Sequence, residues 1–228
     1  MYIHILGSNS SFNINPYLRE SHNCYSYLLN LKSEEAEALC HQEYKNLNYC
    51  RRSQPGYAAG YAPLYKRDLN CSEVMKRTLA DNPSIKPATS TEKCPADTYK
   101  GALVVDPGND YHYYRLNDDG YWSHKPGYKP STIYDASGNR ITNPELANRN
   151  YGKLNYSNFC GNFCVPRTPT QKRMYYKPKP AGPVPVTPIK PVTPIKPVRP
   201  IKPTRTKARK HRLSPSPVRT RRRTHKNK

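Results

Sequence analysis

Along the first 166 residues the apolar positions switch from helical to strand spacing near residue 100. Asn23 suits an N-cap, and Cys24-Tyr-Ser-Tyr-Leu-Leu with Leu31 predicts a short helix behind it. Ser33 followed by Glu34, Glu35 and Glu37 opens a second helix, running to about Leu47. Ser72–Ala80 predicts a third, stopped by Asp81-Asn-Pro83. Gly101-Ala-Leu-Val-Val then has the unbroken apolar run of a buried strand, and Asp106-Pro-Gly-Asn is a turn. Asp110–Leu116 and Tyr121–Lys125 are the arms of a hairpin around Asn117-Asp-Asp-Gly120. A three-residue loop with Gly120 left-handed, the form Gly120 suits, would place His112 and His124 on one face of that hairpin, and a two- or four-residue loop would place them on opposite faces. Ser131–Asp135 and Arg140–Thr142, about a turn at Ala136-Ser-Gly-Asn, predict a second hairpin, and Asn143-Pro-Glu145 a further helix start. Helices first and antiparallel strands afterwards make an α+β body, residues 1–166.

A different period governs the chain beyond residue 166. From Pro185 to Pro203 a proline falls at every third position, with Val or Ile on the second edge and Thr, Lys or Arg on the third. Three residues per turn is the period of polyproline II, so residues 167–203 read as a linker carrying Val-Thr-Pro-Ile-Lys-Pro repeats. At about 3.1 Å per residue, residues 186–203 would reach about 56 Å as a semi-rigid spacer or a docking ligand. Residues 204–228 have neither period and read as a disordered basic tail.

Charge sharpens this division. The chain has 38 Lys and Arg against 16 Asp and Glu, a formal net charge of +22. All 16 acidic residues lie at or before Glu145, where they balance 16 basic ones, so the surplus belongs to the last 83 residues. A segment without acidic partners seeks polyanions. Arg205, Lys207, Arg209, Lys210, Arg212, Arg219, Arg221, Arg222 and Arg223 are the candidate phosphate contacts for sequence-blind nucleic-acid binding. Residues 205–212 and 219–223 equally suit nuclear localisation signals. Ser214 and Ser216 precede prolines, and their phosphorylation would weaken polyanion binding. No run approaches the roughly 20 apolar residues of a membrane span. The N-terminus lacks a basic n-region, so the default is an intracellular protein.

The chain has 20 Tyr and 3 Phe, which predicts a small polar-rich core in which each buried hydroxyl needs a partner. Its seven cysteines allow either reduced thiols or three bridges and one free thiol. Cys160 and Cys164 form a lone CxxxC, better suited to disulfides, local or bridging elsewhere, than to zinc. A helical Cys followed by a strand-borne His is the order of papain-like and NlpC/P60-like cysteine hydrolases. Cys24 is then the candidate nucleophile, favoured by the helix dipole, His112 the base and Asp135 the orienting group. Gln54 is a candidate oxyanion donor and His124 the rival histidine. His112, His124 and Asp110 lack specific metal-binding spacing. No metal or other cofactor is assigned.

Asn23-Cys-Tyr, Asp110-Tyr-His-Tyr-Tyr-Arg with Tyr121-Trp-Ser-His-Lys-Pro-Gly, and Phe159-Cys-Gly-Asn-Phe-Cys-Val resemble a family of bacteria and large double-stranded DNA viruses that carries no assigned activity. The proline-lysine repeat is similar to extensions on iridovirus and chlorella-virus proteins. The resemblance implies a viral origin and a virion location. Together these readings give a basic-tailed viral protein of the host cytoplasm or nucleus, packaged in the virion, with nucleic acid or another polyanion and capsid proteins as partners. Its body is a candidate cysteine peptidase or amidase. The alternative is a non-catalytic structural or DNA-packaging virion protein with a disulfide-stapled body.

Overall fold

A computed structural model describes residues 11–47 and 49–169. The proline linker beyond residue 169, the basic tail, its phosphate contacts and both serine sites lie outside the described residues. Four helices, α1 (Pro16–Ser21), α2 (Cys24–Leu28), α3 (Glu34–Leu47) and α4 (Cys71–Asp81), precede five strands. These are β1 (Lys86–Ala88), β2 (Thr98–Asp106), β3 (Asp110–Leu116), β4 (Trp122–His124) and β5 (Asn158–Pro166). All pair antiparallel in the order β1-β5-β2-β3-β4, so the α+β expectation holds. Among the described residues no helix is long and apolar enough to cross a membrane.

β2 is central and buried on both faces, which is why its apolar run does not alternate. On one face Leu103, Val105, Tyr113 and Phe163 pack against Tyr25 and Leu28 of α2 and Val74 of α4. On the other, Ala102, Val104, Tyr114 and Trp122 are covered by Ile141 and Tyr156 from the long connection to β5. Gly101 is where α2 comes nearest the sheet. A Cβ there would lie 2.5 Å from the Phe163 ring and 2.6 Å from Leu28. Four of the buried tyrosines find the partners their hydroxyls require. Tyr25 donates to Asp81 at 2.9 Å, Tyr27 meets Ser123 at 2.8 Å, Tyr113 meets Thr78 at 2.5 Å, and Tyr99 donates to the Leu28 carbonyl.

Gly120 is left-handed (φ 83°) and Asn117 N donates to Tyr121 O at 2.9 Å, closing the three-residue loop. Tyr114 pairs with His124, so His112 and His124 share a face. The second hairpin is reduced to a single bridge, Tyr134 to Arg140, and the segment after Asn143 makes turns instead of a helix. There Asp135 and Asn143 turn their carboxylate and carboxamide oxygens onto local backbone N–H groups, ending regular structure.

Six of the seven cysteines form three disulfides, Cys40–Cys50, Cys71–Cys160 and Cys94–Cys164, leaving Cys24 free and buried. Cys160 and Cys164 thus bridge elsewhere and not to each other. The register of β2 against β5 slips between Leu103, paired with Gly161, and Val104, paired with Phe159, so Cys160 is the extra residue of a bulge. It packs against the Leu103 side and reaches α4. Cys164, in step with Asn162 opposite Ala102, belongs to the other side and reaches the segment before β2.

Candidate functional site

A groove of about 1220 Å³ opens where three segments meet the start of α2 and the β3–β4 hairpin. α3 and the loop closed by Cys40–Cys50 form one wall, with Tyr49, Arg51, Arg52 and Tyr57. Pro126–Lys129, whose Tyr128 stacks with Arg52, and residues 151–156, with Tyr151 and Tyr156, complete the lining. Cys24, Asp110, His112 and His124 lie between them. The fold therefore brings Cys24 and His112 to one groove and adds the rival histidine, His124, where Asp135 was expected.

The histidines form a directed chain. His124 Nε2 lies 3.0 Å from the Tyr134 carbonyl, which only accepts, so Nε2 carries the proton. Burial holds the His124 ring neutral, its pKa lowered to about 4 against the pull of that carbonyl. Its Nδ1 is then an acceptor, and His112 Nε2 donates to it at 2.7 Å. Burial, reinforced by His124, also keeps His112 neutral, so His112 Nδ1 is left as an acceptor without a hydrogen bond from the described residues. Beside it Tyr156 donates to Asp110 at 2.8 Å. Burial raises the Asp110 pKa, although the Tyr156 hydroxyl opposes it.

Cys24 is the first residue of α2, and Asn23 caps the helix with its side-chain oxygen on the N–H groups of Tyr25 and Ser26. The dipole of this single turn was expected to lower the thiol pKa. Burial outweighs it and, with the Asp110 charge, pushes the pKa up to about 12. Sγ makes a long 4.0 Å contact to the Tyr111 carbonyl. Asp135 lies in an exposed loop. Burial works against its ionisation, but the N–H groups of Asn139, Asn148 and Ser137 outweigh it and hold the carboxyl below the usual range. It closes a turn, and the group that orients His112 is His124. Gln54 lines the groove and spends its side-chain oxygen on Leu64 N at 3.0 Å. A protonated thiol beside neutral imidazoles offers hydrogen bonds without a charged nucleophile. Among the described residues no group of three or more His, Cys, Asp or Glu is placed to hold a metal.

No protein-family model matches the chain, and no solved structure matches it. The chain is 33% identical over 152 residues to insoluble matrix shell protein 1 of Ruditapes philippinarum, which covers 66% of this chain and 83% of that protein. This relationship overturns the viral nucleic-acid-binding function, the DNA-packaging alternative, the hydrolase body and the placement in host cytoplasm or nucleus. The papain-like arrangement likewise has no support from a solved structure. The charge of the basic segment specifies the sign of a partner and leaves its chemical kind open, so it does not single out nucleic acid.

Proposed function

The chain belongs to the family of insoluble matrix shell protein 1, and from that membership we propose that it is a non-catalytic structural component of an insoluble shell matrix. The observation that carries the reading is the 33% identity across 83% of the relative's length. The cysteines support it. Three disulfides among the described residues suit an oxidising, extracellular setting, where a small polar core is commonly stapled. The 22 basic residues after Glu145 then meet acidic matrix polymers, which a cationic segment attracts whatever their backbone.

The test is fractionation of the source organism's mineralised tissue. After the mineral is dissolved with a chelator, peptides of this chain should appear in the insoluble residue, with the three bridges intact on non-reducing mapping. Recovery solely from cell lysate, with reduced cysteines, would refute the proposal.

A further inference from the structure

We propose that the groove between the Cys40–Cys50 loop and residues 151–156 binds an uncharged β-linked polysaccharide strand, its pyranose faces stacked on tyrosines and its hydroxyls bonded at the floor. The inference stands on the groove and holds whether or not the matrix reading does.

Size and composition come first. At about 1220 Å³ the groove exceeds the roughly 300–1,000 Å³ of sites built for small molecules. It is open, as a polymer requires. Tyr49, Tyr128 and Tyr151 line it while remaining 56%, 53% and 40% exposed. Large rings left in solvent around one groove cost free energy unless something covers them. Tyr128 is held in place within this lining, with the Arg52 guanidinium over its ring at 5.5 Å from the centre and Arg52 itself donating to the Glu20 carbonyl at 2.9 Å.

Chemistry then selects among ligands. The lining carries Arg51, Arg52, Lys129 and Lys153 against Glu35, Glu43 and Asp110, with Arg51 paired to Glu43 and Arg52 to Glu20, so charge gives a cationic peptide no strong hold. An anionic group would meet neutral imidazoles, a neutral thiol and the Asp110 carboxyl at the floor, while the nearby buried Lys125 does not line the groove and its ammonium is already bonded to three carbonyls. A hydroxyl suits what is present. His112, 3% exposed, offers Nδ1 as an acceptor, because its other nitrogen is committed to His124. The Tyr156 oxygen, having given its proton to Asp110, accepts as well. Flat rings above a floor of acceptors match a sugar, whose axial faces are apolar and whose edges donate.

The full chain should be titrated calorimetrically with β-1,4-linked hexasaccharides of glucose and of N-acetylglucosamine, and with a poly-glutamate peptide, in about 0.5 M salt to screen the basic segment. At least one sugar should bind. Tyr128→Ala and Tyr151→Ala should each weaken it about tenfold, and Tyr151→Phe, which keeps the ring, should not. Tyr65→Ala, exposed but outside the groove, should bind as the native chain does. Unfolding midpoints establish that the variants are folded. The proposal fails if neither sugar binds, if the groove variants bind unchanged, or if only the acidic peptide titrates in a Tyr128-dependent way. Fractionation of tissue bears on the matrix reading alone, so the two fail separately.

Discussion

The two long disulfides should be energetically coupled, because their loops interlock. Cys71–Cys160 spans 89 residues and Cys94–Cys164 spans 70, against 10 for Cys40–Cys50. If loop closure in the unfolded chain dominates, each alone is worth about 4.6, 4.4 and 2.7 kcal/mol respectively. The long loops share residues 94–160, however. With one bridge in place, the other closes only the 23 residues from Cys71 to Cys94 and the 4 from Cys160 to Cys164. That effective loop of 27 residues is worth about 3.6 kcal/mol.

Replacing Cys71 and Cys160 by Ala, or Cys94 and Cys164 by Ala, should therefore cost about 3.6 kcal/mol in either case. Removing both bridges should cost about 8 kcal/mol, roughly 1 kcal/mol more than the two single removals together. The assay is equilibrium urea unfolding of the full chain, followed by the fluorescence of Trp122, the only tryptophan and 6% exposed. Additive losses near 4.5 kcal/mol each would refute the interlocked topology. A loss on removing Cys40–Cys50 as large as either long bridge would refute loop closure as the dominant effect.

Three further outcomes concern buried groups. Lys125 is fully buried and donates to the carbonyls of Arg19 at 2.5 Å and Gly127 at 2.6 Å and to that of His22, so Lys125→Met, which leaves those carbonyls without their donor, should destabilise by about 1–3 kcal/mol in the same urea assay. Burial lowers the pKa of His22 and His124 from 6.5 to about 4, so the unfolded chain takes up their protons first as pH falls below 6.5. Each should remove about 2 kcal/mol of stability between pH 7 and pH 5, and a flat pH–stability profile there would contradict their neutrality. The Cys24 thiol, with its pKa raised to about 12 by burial, should resist a disulfide-exchange reagent at pH 8 until urea exposes it; rapid native-state labelling would count against that burial.

The legible parts of the fold were those specified within a few residues. Asn23 before Cys24 announces a cap that needs only Ser26 to complete it, and Gly120 sets a loop length from which the shared face of His112 and His124 follows. β5 was not legible. Its Gly161 and Asn162 weaken any strand pattern, and its pairing with β2 is made by residues some 60 positions away in the chain. α1 was missed because it is six residues long, although Asn15 and Pro16 are a cap and a first-turn proline. The groove was beyond a one-dimensional reading, since its walls come from residues 49–57, 126–129 and 151–156, which share no local signal. The thiol was misjudged for a physical reason. Helix-terminus electrostatics can be read locally, whereas the burial that overrides it depends on the whole fold.

The bridges divide their work by loop length. β5 lies between β1 and β2 and holds Cys160 and Cys164 on opposite sides of the sheet, so the two long bridges lock it to α4 and to the segment before β2. That suits a core whose tyrosine hydroxyl bonds are each worth only about 1 kcal/mol net. Cys40–Cys50 closes too short a loop to matter as much for global stability, yet Cys50 lines the groove and Tyr49, Arg51 and Arg52 flank it. Its main effect should be to fix that wall. Replacing both cysteines by Ala should cost only about 2.7 kcal/mol, leaving the rest of the fold intact, but should weaken hexasaccharide binding by as much as Tyr128→Ala. The Cys94–Cys164 pair should show the reverse, a larger loss of stability with binding unchanged in the folded fraction. If both pairs alter binding equally, the groove wall is not what the short bridge holds.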